Sequence, residues 1–139
     1  MQHKRLVIDA NILIRAVFGQ RVRELIVQSS EHVAFYMAEP NFDEACHYIA
    51  LLASQRGIDE AIWRNALDAA MTAIQLVGQA ELAIVETEAR ARIARRDERD
   101  WPALAAALLM DCPVWTEDQD FFGTGVPTWT TATVDIYLR

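Results

Sequence analysis

Leu6-Val7-Ile8-Asp9-Ala10-Asn11 is the stretch on which the fold turns. Its first three residues are apolar and two are β-branched, which reads as a short buried strand. Directly afterwards Ile12, Leu13, Ala16 and Val17 recur at helical spacing. A strand therefore feeds a helix, and Asp9 stands at the junction. The pattern returns at Val33-Ala34-Phe35-Tyr36-Met37, a second strand closed by Glu39-Pro40. There Asn41 can cap a helix carrying Ala45, Ile49 and Leu52 on one face, and Gly57 ends it.

Farther along, Ile62, Ala66, Ala69 and Ala73 predict a long helix from Ile58 to about Leu76, stopping near Gly78. Leu82-Ala83-Ile84-Val85 is another apolar run. The segment from Glu88 to Arg96 has only Ala89, Ile93 and Ala94 as an apolar stripe, so its other faces should be wet. Asp100 can cap an apolar helix from Trp101 to Met110, and Val114-Trp115-Thr116 reads as a short strand. Proline cannot donate to a ladder, so Val126-Pro127-Thr128-Trp129-Thr130 is expected at a sheet edge. The tail from Thr131 to Leu138 is read as a last helical turn, against its β-branched content. Strands alternating with helices imply an α/β fold with a mostly parallel sheet covered on both faces. Sites in such folds form at the carboxyl ends of the strands.

The 139 residues are 53% hydrophobic, enough for one sizeable core, and no linker or repeat divides residues 1–139, so one domain is expected. Trp101 to Met110 is too short to cross a bilayer. Met1-Gln2-His3-Lys4-Arg5 runs straight into the first strand without an apolar leader, so a cytoplasmic protein with no membrane association is expected. Cys46 and Cys112 lack metal-finger or CxxC spacing and read as reduced thiols. A formal charge of −7 argues against a broad cationic surface for nucleic acid. It leaves room for an acidic site whose bound cations restore the local sign where a phosphate docks.

The strand-end rule selects among the 20 acidic residues. Asp9 follows the first strand, Glu44 lies in the first turn of the helix after the second, Asp100 heads the apolar helix, and Asp118 follows Thr116 by two. Carboxylates gathered on one rim repel and raise one another's pKa unless a cation neutralises them. Oxygen ligands suit a hard divalent ion, Mg²⁺ or Mn²⁺. One or two such ions would activate water and stabilise in-line displacement at a phosphodiester without a protein nucleophile. The chain has no GxSxG elbow, no Gly-rich phosphate loop followed by lysine and no HExxH.

With these motifs the sequence resembles PIN-domain proteins over nearly its whole length. Val7-Ile8-Asp9-Ala10-Asn11 is similar to their opening strand motif, Glu44 to their helix-borne acid, and Asp100-Trp101-Pro102-Ala103-Leu104-Ala105 to their third acidic motif. Val114-Trp115-Thr116-Glu117-Asp118-Gln119-Asp120-Phe121 resembles the closing motif. The resemblance implies a three-layer α/β/α sandwich and Mg²⁺- or Mn²⁺-dependent cleavage of RNA. Many small bacterial members are VapC-type toxins held inactive by an antitoxin, and a homodimer is suggested. Asp9, Glu44, Asp100 and Asp118 would be catalytic, with Asp9, Asp100, Asp118 and Asp120 as metal ligands. Asp97 stands as an alternative to Asp100, and Glu39 and Asp43 as alternatives to Glu44.

Asn11 and Thr116 are candidates for orienting the acids. Arg90, Arg92, Arg95, Arg96 and Arg99 crowd before Asp100, which makes Arg95, Arg96 and Arg99 candidate phosphate contacts, although such a run is ordinarily a solvated helix face. His3, His32 and His47 are unclustered and read as structural or exposed. Trp101, Trp115 and Trp129 read as core, whereas Trp63 could mark an interface. A non-catalytic PIN module that binds RNA or a protein partner is the competing function. A phospho-acceptor signalling domain needs a lysine after a late strand, and the only lysine is Lys4.

Overall fold

The computed structural model describes residues 4–139, so Met1 to His3 lie outside it. In chain order come β1 (Lys4–Ile8), α1 (Ala10–Phe18), α2 (Gln20–Ser29), β2 (Val33–Ala38), α3 (Glu39–Gln55), α4 (Glu60–Met71) and β3 (Ile74–Val77). Then follow α5 (Gln79–Leu82), α6 (Glu86–Ile93), α7 (Trp101–Met110), β4 (Val114–Trp115), β5 (Thr128–Trp129) and α8 (Val134–Leu138). Short 3₁₀ turns cover Ala83–Val85, Glu98–Asp100 and Gln119–Phe121.

All strand pairings are parallel, in the order β3-β2-β1-β4-β5. Successive side chains of a strand point to opposite faces, and β1 uses both. Leu6 and Ile8 pack with Phe35, Met37 and Trp115 beneath α1, α3 and α4. Val7 joins Val77, Val114 and the helices α6 and α7 on the other side. Two separate apolar cores around one sheet make this an α/β/α sandwich. Each fully buried Leu, Ile or Phe contributes about 1.5–3 kcal/mol, which is why strands of only two residues hold their register here. Residues Pro102 to Ala107 of α7 are buried throughout, because small alanines let this helix lie between the sheet and α6. Among the described residues no helix is long and apolar enough to cross a membrane.

Three expectations are corrected. The long middle helix ends at Met71, and Ile74–Val77 leaves it to form the edge strand β3 against Phe35–Ala38. Ladder pairing outweighs the helical spacing of a short alanine-rich tail. Asn41 does not cap α3: the helix begins at Glu39 with Pro40 in its first turn, and Asn41 is buried inside it. Trp63 is buried, with the Arg64 guanidinium 4.8 Å over its ring, so it offers no exposed aromatic surface. Trp115 is fully buried, Trp101 and Trp129 partly so, and both cysteines are free.

Candidate active site at the ends of β1 and β4

From β1 the chain runs outward to β2 and β3, whereas β4 and β5 lie on its other side. The strand order therefore switches between β1 and β4, and a crevice opens beyond the carboxyl ends at such a switch. Asp9 and Thr116 follow directly on the paired residues Ile8 and Trp115, and the Asp9 amide donates to the Trp115 carbonyl at 3.0 Å. A cavity of about 300 Å³ opens there, lined by Asp9, Asn11, Glu44, Asp100 and Asp118 together with Ile14 and Tyr48.

Asp9 is buried and held on both oxygens. Its Oδ1 accepts from the Ala10 amide at 2.8 Å, and its Oδ2 accepts from the Thr116 hydroxyl at 2.8 Å and Asn11 Nδ2 at 3.2 Å. The Thr116 oxygen in turn accepts from the Asp118 amide at 2.9 Å and from Asn11 Nδ2 at 3.2 Å. Asn11 Oδ1 accepts from the Glu117 amide, and Asp118 Oδ1 accepts from the Asp120 amide at 2.9 Å. Thus Asn11 and Thr116 tie the two strand ends to each other and fix the carboxylates.

Asp100 sits at the head of α7 without making the expected side-chain cap. One of its oxygens, Oδ2, is buried with no hydrogen-bond partner. Burial, the facing Asp118 carboxyl, and then the charges of Asp9 and Asp97 push its pKa up to about 8. Two carboxyl groups in contact need either a proton or a cation between them. Asp9 is also raised, first by burial, with the hydrogen bonds from Thr116 and Ala10 opposing and the charges of Asp118 and Glu44 adding.

Asp120 belongs to a second, overlapping group: single carboxylate oxygens of Asp97, Asp100 and Asp120 lie within 4.8 Å of one another. Asp97 is engaged by Arg99 through bonds of 3.0 and 2.9 Å, and that guanidinium lowers its pKa. Asp100 is thus common to both groups, and Asp97 adds to it rather than replacing it. Glu44 lies exposed at the cavity wall. Asp43, the alternative, does not line the cavity; burial raises the pKa of the Cys46 thiol, and the Asp43 charge adds to that rise. Glu39 does not line the cavity either.

The arginine segment is mostly occupied with its own surroundings. Arg90 bridges Glu86 and Glu98 and covers the Trp101 ring, and Arg92 holds Glu88 and the Thr124 carbonyl. Arg96 donates to the Gln119 carbonyl at 3.1 Å, and Arg99 is paired with Asp97. Of the candidate phosphate contacts only Arg95 is exposed and uncommitted among the described residues. Arg92 and Arg96 pass over Gly125 and Gly123, both with positive φ, so this arrangement clamps the loop that follows Asp118 and Asp120. Tyr48 escaped the sequence reading, yet it stands one helical turn beyond Glu44, and that spacing was the available signal.

The donors are all oxygens, one is buried without a partner, and the like charges converge, so the set fits a hard divalent cation. The sequence pattern of a family described as "PIN domain" matches residues 7–139. No curated protein gives a significant match. Among solved structures the chain is similar to PAE2754 from Pyrobaculum aerophilum, with a TM-score of 0.73 and 15% identity, covering 97% of this chain and 89% of that one. It is also similar to VapBC2 from Rickettsia felis bound to a DNA fragment from their promoter, with a TM-score of 0.67 and 10% identity, covering 91% and 98%. At such identities the likeness is one of chain path.

Proposed function

Because this chain belongs to the PIN-domain family, we propose that it is a metal-dependent endoribonuclease whose acids hold Mg²⁺ or Mn²⁺. The observation that carries this reading is Asp100, half-buried against Asp118 with one oxygen unsatisfied. Asp9, Asp100 and Asp118 would hold the ion, and Asp120 would assist through the Asp100 side of the cluster. When bound, the ion supplies Lewis acidity toward the phosphodiester and lowers the cost of its developing charge.

The remaining chemistry is carried by the side chains. Thr116 and Asn11 hold the Asp9 carboxylate at a fixed angle, so no reorientation is needed during the reaction. Glu44, exposed at the cavity wall, takes the proton of an attacking water. Asp100 would have to be deprotonated to serve as a ligand, so affinity for the ion would rise with pH. The toxin role, with an inhibitory antitoxin and a homodimer, extends the same proposal: a similar structure is that of VapBC2, and many small members of the family act so.

The test uses the whole chain, purified without inhibitor, on several RNAs with Mn²⁺ or Mg²⁺. Cleavage should stop with a chelator and fall at least 100-fold in Asp9→Asn while the circular dichroism spectrum is unchanged. Cleavage that survives Asp9→Asn, or no cleavage by the wild type, sinks the reading.

A further inference from the structure

Arg90, Arg92, Arg96 and Arg99 are committed to carboxylates and loop carbonyls, which leaves Arg95 as the one uncommitted cation of that segment among the described residues, so further positive charge for an RNA strand has to be sought elsewhere. On the other side of the site a groove of about 380 Å³ runs between α1 and α3 and shares Ile14 with the acidic cavity. Arg15 and Arg56 line it, both exposed and neither in an ion pair among the described residues. The Arg56 guanidinium lies 4.9 Å over the Phe18 ring.

Residues four apart share one helix face; Glu44, Tyr48 and Leu52 follow that spacing along α3, and Arg56, its C-cap, continues it just past the helix end. The stripe passes from an acid through an exposed aromatic and a leucine to an arginine, over about 18 Å at 1.5 Å per residue. Tyr48 is 46% exposed and lines the cavity beside Asp9.

We propose that this trough is the binding track for single-stranded RNA flanking the cleaved phosphate, with Tyr48 stacking on a base and Arg15 and Arg56 receiving backbone phosphates. The proposal rests on the nuclease reading above and names its substrate path. A uniformly anionic strand suits both ends of the trough, since a cation among the acids and the two guanidiniums each take a phosphate. A docked peptide would have to carry acids at one end and avoid them at the other. The aromatic between suits nucleobases, which stack on such rings whatever the sequence.

The test measures binding of a fluorescent single-stranded RNA to the whole chain, with Mn²⁺ and an Asp118→Asn background to block cleavage. Arg15→Gln with Arg56→Gln should weaken binding about tenfold or more and lower the salt slope by about 1–2. Tyr48→Ala should cost about tenfold and Tyr48→Phe little, because a phenyl ring still stacks. Unchanged RNA affinity in the Arg15/Arg56 variant overturns the track, the more so if Arg95→Gln with Arg99→Gln abolishes binding or if only a protein partner is lost. Mn²⁺-dependent cleavage whose KM ignores Arg15 and Arg56 defeats the track and leaves the nuclease standing. A wild type that neither binds nor cuts RNA defeats both.

Discussion

Thr116 has one hydroxyl and three polar neighbours. It donates to Asp9 and accepts from the Asp118 amide and Asn11, so one buried oxygen sets the relation between carboxylates from opposite ends of the chain. Replacing it by valine keeps the shape and removes the link. Thr116→Val should weaken Mn²⁺ binding by roughly 10- to 100-fold, the usual cost of losing a group that orients a ligand, as read by calorimetric titration. Unaltered affinity would deny Thr116 that role. Asp100 gives a pH prediction with a definite sign. Its folded pKa of about 8 lies above the ordinary carboxyl value, so between those values the folded chain holds a proton that the unfolded chain has lost. The contribution of Asp100 to stability without metal is therefore full below about pH 4 and is lost as pH rises through about 8. Chelator-treated protein should melt lower at pH 8 than at pH 5, and Asp100→Asn should flatten that difference. A wild-type slope that survives in Asp100→Asn would place its origin elsewhere.

At the scale of elements, the loop after β4 depends on space that glycine leaves. A Cβ on Gly125 would meet an Arg92 nitrogen at 2.7 Å, with φ at +87° besides. Gly125→Ala should destabilise by about 1–3 kcal/mol in urea unfolding. A smaller loss would mean that both the Arg92 contact and the left-handed backbone at this position yield easily. Elements whose local signals agreed with their packing were legible beforehand. The apolar run of β1 and the stretch Trp101–Met110 appear where expected, since burial on all sides leaves such sequences no alternative. β3 was hidden because Ile74-Gln75-Leu76-Val77 continues an alanine-rich helical spacing, and only its ladder with β2 makes it a strand. The start of α3 was misplaced because Asn41 is a good capping residue, although Pro40 just before it is the kind of residue that opens a helix. Asp9, Glu44, Asp100 and Asp118 could be named because strand ends are visible in sequence, whereas the partners of the arginines are three-dimensional facts.

For the molecule as a whole, the proposed cation would act as an added fastening across the β1–β4 junction. Mn²⁺ at a hundredfold excess over its dissociation constant should raise stability by about 2.7 kcal/mol, seen as a higher Tm that a chelator reverses and Asp9→Asn abolishes. A melting point indifferent to Mn²⁺ would contradict a folded-state site. The net charge of −7 sharpens this, since the ion relieves repulsion in an already anionic protein. The same junction has a consequence during synthesis. Asp9 leaves the ribosome 107 positions ahead of Thr116, and β1 cannot acquire its β4 neighbour in between. A nascent chain would present scattered acids with nothing to hold them. Under the proposed reading, an RNA-cutting site assembled this way would be inert in any nascent chain that has not yet reached Thr116.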